Sequence, residues 1–550
     1  MDDENRIGPG SLGTDVSRRT FVAATGAALA TGCSGGASMR ADDAPPEGRA
    51  VTTREMERAP FDSLRDYIKA LEQRGLVLRI DRVDQDAYEG TALMYRLVDR
   101  FGRLESPVVV FERVRIDGRW IDGPVVCNVS GPVDVEAIMF GLEPVPNDST
   151  ATYHRARKYL DEMLERSNGQ YPQIAPIEVE RLQAPCKQVT LIGDDIDVTA
   201  FPFLQNNPGD SGRFINTTSV FTSDAEMGLN IGTYRCQING PREIIVGTGE
   251  GQTGFNMLMA AKGRGEKTAR IALVCGQDPM TWLVSGARIP ERRGKKPVDE
   301  LAYAGGLRGK ALEVVKCDTN ELRVPAHAEM VIEGIVSLEG FEPNGPYGES
   351  PGYIGEVYEK AFFMDVTRIT HRTDPWFMND FTGITKALIS MPSAALTTAG
   401  LKAFIPSIVD YRWRNSVTFI AIKKTRPGEA LDVGKRLAKL IPIFKIVVMV
   451  DDDVDLWNGA DWFMAFATRW QAYPASHIFE DLPVNPLEPS APVRERSSKI
   501  VIDATRQWPE EGGPETFPAY SRHVLRDYDP EVFDRVDKKW WSVIDDWTKS

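Results

Sequence analysis

Histidine is scarce in this chain. There are five in 550 residues, so a histidine-rich metal cluster has little material. The six cysteines (Cys33, Cys127, Cys186, Cys236, Cys275 and Cys317) include no CxxC pair. They read as buried thiols rather than a zinc site or a disulfide framework. Positive charge is outweighed: 65 Lys and Arg face 79 Asp and Glu, a formal net charge of −14. Nucleic acid is therefore not an expected partner, because phosphate contacts need a basic face. A small anion is still allowed, since a buried site can be locally basic. No repeated run of ~20 apolar residues is present, which excludes a polytopic membrane protein. The GxSxG elbow, the GxxxxGK[ST] loop and HExxH are absent too. Gly247-Thr248-Gly249-Glu250-Gly251 follows a strand-like run, but it lacks the third glycine of a dinucleotide fingerprint.

What is present is ordinary soluble composition, 42% hydrophobic and 26% charged, over a length that implies several units. Residues 1–56 read as a leader and linker. Ser17-Arg18-Arg19-Thr20-Phe21 precedes the mild apolar run Phe21–Gly32, as in a twin-arginine export signal. Ala30-Thr31-Gly32-Cys33 resembles a lipoprotein box, so Cys33 is a possible lipid anchor. The expected location is periplasmic or membrane-anchored, with a cytoplasmic chain as the alternative.

Helical periodicity covers 61–75, with Asp62 as N-cap and Gly75 as stop, and again 88–100. Strands are expected at 76–80, 107–111 and 123–129, and a largely helical connector over 148–184. From 187 short β-like runs separated by Gly, Pro and Asn suggest a barrel or sandwich, interrupted by a helix at 255–262. Strands at 417–422 and 446–450 flank a helix at 429–440, a βαβ pattern. A charged, Trp-containing helix at 529–547 could pack on a partner subunit.

Three segments stand out: Gly228–Arg235 (GLNIGTYR), Val324–Gly334 (VPAHAEMVIEG) and Asn344–Tyr353 (NGPYGESPGY). The last is a tight Gly/Pro loop that can hold Glu349 rigidly beside a pocket, as a proton donor requires. Together with LRDYIKALEQRGLVLRI, IPERRGKKPVDELAYAGGLRG, VKCDTNELRVPAHAEMVIEG and ITHRTDP, these segments resemble the UbiD family of prenylated-flavin-dependent decarboxylases, over residues 60–545. The resemblance implies an α/β multidomain fold: an N-terminal α/β domain with helical connector (57–186), a central split β-barrel binding prenylated FMN (187–360), and a C-terminal α/β domain with an oligomerisation helix (361–550). It implies a divalent metal, Mn or Mg, with K nearby. It also implies a flavin prenyltransferase as cofactor supplier, a homo-oligomer, and reversible, redox-neutral decarboxylation of an aromatic or α,β-unsaturated acid.

Residue by residue, the resemblance assigns Asn230 and Glu300 to the metal. No histidine lies between 155 and 326 to serve as the usual third ligand, and Gln252 falls nearest that place. Ile231, Gly232, Tyr234, Arg235 and Ser285 fall at cofactor-binding positions, and Lys423 is a candidate for the cofactor phosphate. Arg235 and Glu349 match the active-site arginine and second glutamate. Asn344 stands where the family has its first glutamate, and asparagine cannot titrate. Chemically, loss of CO2 leaves an electron pair that no side chain can accept, so a cofactor must. Arg235 can orient a carboxylate bidentately and Glu349 can protonate carbon. The alternative reading is a non-catalytic member that binds flavin or a carboxylate.

Overall fold

The computed structural model describes residues 56–287, 299–386, 391–414 and 416–549. The leader, and with it the export and lipidation motifs, lies outside them. The described residues from 56 to 515 form one compact unit. Among the described residues no helix is long and apolar enough to cross a membrane.

The first helix, Leu64–Glu72, buries Leu64, Tyr67, Ile68 and Leu71 on one face. Its N-cap is Ser63, not Asp62: Ser63 has extended backbone and its hydroxyl accepts from the Asp66 N–H. Asp62 instead pairs with Arg308 and Lys310. Gly75 takes φ +71°, the left-handed stop expected of it. Strand Val77–Asp84 pairs in parallel with Val108–Ile116, which turns back through Asp117 and Gly118, both at positive φ, into Arg119–Cys127. The fourth strand of this sheet, Phe377–Asn379, arrives from far along the chain and lies parallel to residues 125–127.

The connector is helical only over Ser149–Arg166. Asn168 and Gly169 both adopt positive φ, and two prolines follow at 172 and 176, so the helix cannot continue. The next residues form a two-residue strand and short 3-10 turns.

A ten-stranded sheet dominates the centre. Its ladder runs through Phe214–Ile215, Cys236–Ile238, Glu243–Val246, Tyr358–His371, Met330–Ser337, Thr268–Cys275, Ser219–Asp224 and Gly228–Thr233, and no pairing closes it among the described residues. Strand Tyr358–His371 runs through the boundary expected at 360, because it pairs with residues 330–336 along most of its length. The helix expected at 255–262 is present as Thr253–Gly263.

A five-stranded sheet follows, ordered Ile408–Arg414, Val417–Ile422, Ile446–Asp451, Arg496–Asp503, Ser476–Pro483. The expected βαβ unit is there: 417–422 and 446–451 are parallel, joined by helix Glu429–Leu440. That helix buries Ala430, Val433, Gly434, Leu437 and Ala438. It lies so close to the sheet that a Cβ on Gly434 would stand 2.4 Å from Val501. Residues 516–549 belong to a separate unit with helices Ser521–Tyr528 and Val532–Lys549.

Candidate active site

Arg235 sits where one strand ends and another begins. Gly228–Thr233 pairs with Ser219–Asp224, and Cys236–Ile238 restarts against Glu243–Val246. The two residues between them, Tyr234 and Arg235, leave the ladder. The carbonyl of Arg235 accepts from the Gly247 N–H at 2.9 Å. A Cβ on Gly247 would lie 2.5 Å from that carbonyl and 3.0 Å from Asn344 Oδ1. The first glycine of the GTGEG loop is thus a packing requirement of Arg235 rather than part of a nucleotide fingerprint.

The guanidinium gathers the loop 344–353 around it. Its Nε donates to Asn344 Oδ1 at 2.8 Å. Its Nη1 forms an ion pair with Glu349, and both side chains are largely buried, 8% and 12% exposed. Tyr358 and Tyr347 present their rings to it, with centroids 4.4 and 5.2 Å from Cζ. Burial lowers the arginine's pKa, but a guanidinium starts so high that it stays charged. Asn344 is fully buried and ends the short strand Glu342–Asn344, opposite Tyr358. Glu342, two residues upstream, stands opposite Ala361.

Glu349 lies in a small hairpin closed by the Gly348–Ile354 bridge and by a 2.9 Å bond from the Glu349 N–H to Tyr353 O. Gly355 supports its side chain: a Cβ there would stand 2.7 Å from Glu349 Cγ. Tyr347 is pinned by its hydroxyl, which accepts from Asn216 Nδ2 at 2.9 Å and meets Thr382 Oγ1 at 2.9 Å. Burial pushes that phenol up to about 12. Asp210, also buried, accepts from the Gly348 N–H, and burial raises its carboxyl above the usual range. Asp210, Glu349, Tyr347 and Tyr353 share the lining of a cavity of about 30 Å³, large enough to hold ordered water.

The remaining expected residues fall into two groups. Asn230, Ile231, Gly232 and Tyr234 share one strand end. Asn230 Nδ2 donates to Thr222 Oγ1 and Tyr234 OH at 3.3 and 3.4 Å, and the Ile231 N–H is bonded to Glu300. Gly232 lies flat on the Tyr234 ring, where a Cβ would stand 2.3 Å away. Ser285, on helix Pro279–Gly286, joins a buried set of hydroxyls with Ser219 at 2.9 Å and Thr233 at 2.8 Å. Two of the expected residues have other partners or surroundings. Gln252 caps the start of helix Thr253–Gly263 and turns its amide oxygen onto the Gly249 N–H at 2.7 Å, closing the glycine loop. Lys423 is exposed at the end of strand Val417–Ile422, in the five-stranded sheet; its neighbour Lys424 is the buried one, paired with Glu511 at 2.7 Å.

Two observations bear on a cofactor. Arg235 Nη2 and Thr248 Oγ1 are buried and have no hydrogen-bond partner, an uncompensated cost that a polar heterocycle beside them would remove. The amide of Asn230, on strand Gly228–Thr233, and the carboxylate of Glu300, which begins helix Glu300–Arg308 and meets the N–H of the next strand residue, Ile231, are oxygen donors of the kind a hard cation takes. Among the described residues, no group of three or more His, Cys, Asp or Glu side chains is placed to hold a metal ion. These orphaned donors suit the polar ring of the flavin that the resemblance implies, and Asn230 and Glu300 offer a metal two oxygen donors.

Sequence reading did not assign Asp210, Tyr358 or Gln237, whose Oε1 accepts from the Gly345 N–H at 2.9 Å. Tyr347 stands in the NGPYGESPGY motif, which by itself assigns it no role. Asp210 stands in Asn206-Asn207-Pro208-Gly209-Asp210, which has the composition of a turn and nothing more.

This site lies within the part of the chain that matches known families. Residues 177–385 match the 3-octaprenyl-4-hydroxybenzoate carboxy-lyase Rift-related domain, and residues 386–504 the C-terminal domain of the same carboxy-lyase. The closed form of vanillic acid decarboxylase from Sedimentibacter hydroxybenzoicus is similar in structure, with TM-score 0.71 and 27% identity over 86% of this chain and 99% of that one. The UbiD-class enzyme HmfF from Pelotomaculum thermopropionicum, in complex with FMN, matches with TM-score 0.67 and 26% identity over 85% and 100%. The 3,4-dihydroxybenzoic acid decarboxylase of Klebsiella pneumoniae shares the fold, with TM-score 0.68 at 21% identity over 86% and 99%. The protein is an enzyme of the carboxy-lyase class. It belongs to the UbiD family.

Proposed function

We propose that this enzyme carries out reversible, non-oxidative decarboxylation of an aromatic or α,β-unsaturated carboxylic acid, with prenylated FMN as its cofactor. The observation that carries the reading is a single arginine, buried between two tyrosines, that holds Asn344 and Glu349 at once. The vanillic acid decarboxylase and the FMN complex of HmfF support it as similar proteins.

Each side chain has a distinct task. Arg235 orients the substrate carboxylate, for which a planar fork is suited. Asn344 holds Nε of that fork and, being unable to titrate, keeps the arginine's orientation independent of pH. Tyr347 and Tyr358 keep water from the guanidinium and strengthen its field. Glu349 delivers a proton to the product carbon once CO2 has left, and takes it back in the carboxylation direction. When bound, the flavin supplies the electron sink that no side chain here offers. Asn230 and Glu300 would hold the divalent metal, Mn or Mg with K alongside, that anchors the cofactor phosphate. The ten-stranded sheet with its open ladder supports reading the centre as the split barrel of the family.

The test is protein co-expressed with a flavin prenyltransferase, assayed for CO2 release from a panel of aryl and acrylic acids. Modified-flavin absorbance together with CO2 release is expected. Flavin-loaded protein that releases no CO2 from any of the acids would favour a binding role.

Export by the twin-arginine route is a second proposal, resting on Arg18 and Arg19. Cell fractionation of the Arg18→Lys, Arg19→Lys double variant is expected to find it retained in the cytosol, and an unchanged distribution removes the idea. The terminal helix Val532–Lys549 exposes Val536, Trp540 and Val543, an apolar stripe suited to a second copy of the chain in a homo-oligomer.

A further inference from the structure

We infer that Asp210 is a positioning residue for the proton donor, clamping the loop that carries Glu349 against Arg235. The inference rests on the decarboxylase reading and extends it to a residue outside the arginine's own contacts.

The clamp is built from two adjacent bonds. Asp210 Oδ1 accepts from the Gly348 N–H at 2.7 Å. One residue on, the Ser211 N–H donates to Pro346 O at 2.9 Å. Segment 210–211 therefore grips the loop on both sides of Tyr347, immediately before Glu349. Asp210 is itself held: its Oδ2 accepts from the Asn207 N–H at 2.9 Å, and its own N–H donates to Asn207 O at 2.9 Å. The side chain of Gln205 closes the turn by donating to Asp210 O at 2.9 Å. Gly209 packs against the far arm of the same hairpin, where a Cβ would stand 2.9 Å from Ile354 Cγ1. Both carboxylate oxygens are committed to backbone N–H groups, so this buried acid acts by holding the loop in place.

The mechanical need is clear from the loop's composition. Residues 344–355 include four glycines and two prolines, and among them only Asn344 lies in one of the sheet's strands with its side chain fixed on the arginine. Left to itself, such a segment samples many backbone states. A misplacement of about 1 Å at the proton donor can cost about 10²-fold in rate. A charge-assisted bond from Gly348 to a carboxylate that is itself locked removes that freedom next to Glu349. The cavity shared by Asp210 and Glu349 leaves the loop looser on that side, where the clamp's bonds add to the hairpin's own.

The experiment compares wild type, Asp210→Ala and Asp210→Asn as flavin-loaded enzyme. Hydrogen–deuterium exchange of the peptide spanning 344–355 is read by mass spectrometry alongside steady-state kinetics. Asp210→Ala is expected to speed exchange of that peptide at least tenfold, and to lower kcat about 30-fold or more with KM changed less than threefold and flavin content unchanged. Asp210→Asn retains one acceptor oxygen for Gly348 and is expected to recover several-fold in both readouts. In a Glu349→Gln background, Asp210→Ala should cost nothing further in kcat, since it acts through Glu349. Unchanged exchange in Asp210→Ala overturns the inference, as does a full additive loss in the double variant. Faster exchange in a wild-type background that turns over none of the acids would leave the clamp standing and remove the decarboxylase reading instead.

Discussion

Glu349→Gln is expected to keep its flavin and its fold while decarboxylation falls about 10²–10⁴-fold, the usual contribution of a positioned general acid. Glutamine matches the carboxyl in shape, so the hairpin 348–354 and its contact with Gly355 survive. Its amide oxygen can still accept from Arg235, which limits the cost of leaving that cation buried. What it lacks is a proton to give. The loss should fall on kcat, because the carboxylate of the substrate is held by the arginine. Turnover in heavy water sharpens the reading: wild type should place solvent deuterium on the product carbon, and the variant should do so only at its residual rate. CO2 release within a few-fold of wild type, at equal flavin content, would remove Glu349 as the donor.

The constellation behind this expectation was only partly legible beforehand. Arg235, Asn344 and Glu349 stand in ordered motifs, and the structure brings all three into contact. The βαβ unit over 417–451 was legible for a different reason: its pairing is between near neighbours and its helix has a strong 3.6-residue period. Long-range pairing left no such mark. Nothing in Phe377–Asn379 says that it completes a sheet begun at Val77, and nothing in Tyr358 says that register will set it opposite Asn344 and over the guanidinium. Asp210 was hidden by its own surroundings, since Asn, Pro and Gly beside it spell a turn whether or not the turn grips anything. The connector's helix is shorter than expected because two positive φ values, at Asn168 and Gly169, end it. Gln252 and Lys423 show a third effect. Spacing can place a residue near a site in sequence, but side-chain direction decides whether it turns inward, and these two turn to a loop amide and to solvent.

Arg235→Lys isolates what the planar fork supplies. The variant keeps a positive charge opposite Glu349, so it avoids the ~3–5 kcal/mol cost of stranding one member of a buried ion pair. It should therefore fold and retain flavin. A lysine ammonium is a single point at the end of a flexible stem, and it cannot hold Asn344 and Glu349 at the two positions now served by Nε and Nη1. Nor does it present a flat cation to the faces of Tyr347 and Tyr358. Losing one charge-assisted hydrogen bond costs about 1.5–3 kcal/mol, or roughly 10–100-fold, and both the substrate carboxylate and Asn344 lose one. The expected result is a fall in kcat/KM of about 10²–10³-fold, with KM rising as well as kcat falling, because the residue acts on binding and on placement together. Glu349→Gln should show no comparable rise in KM, so the two variants separate orientation from proton delivery in one set of assays. If Arg235→Lys leaves KM unchanged while flavin content stays full, the arginine does not hold the substrate carboxylate, and its contact with Glu349 serves the fold alone.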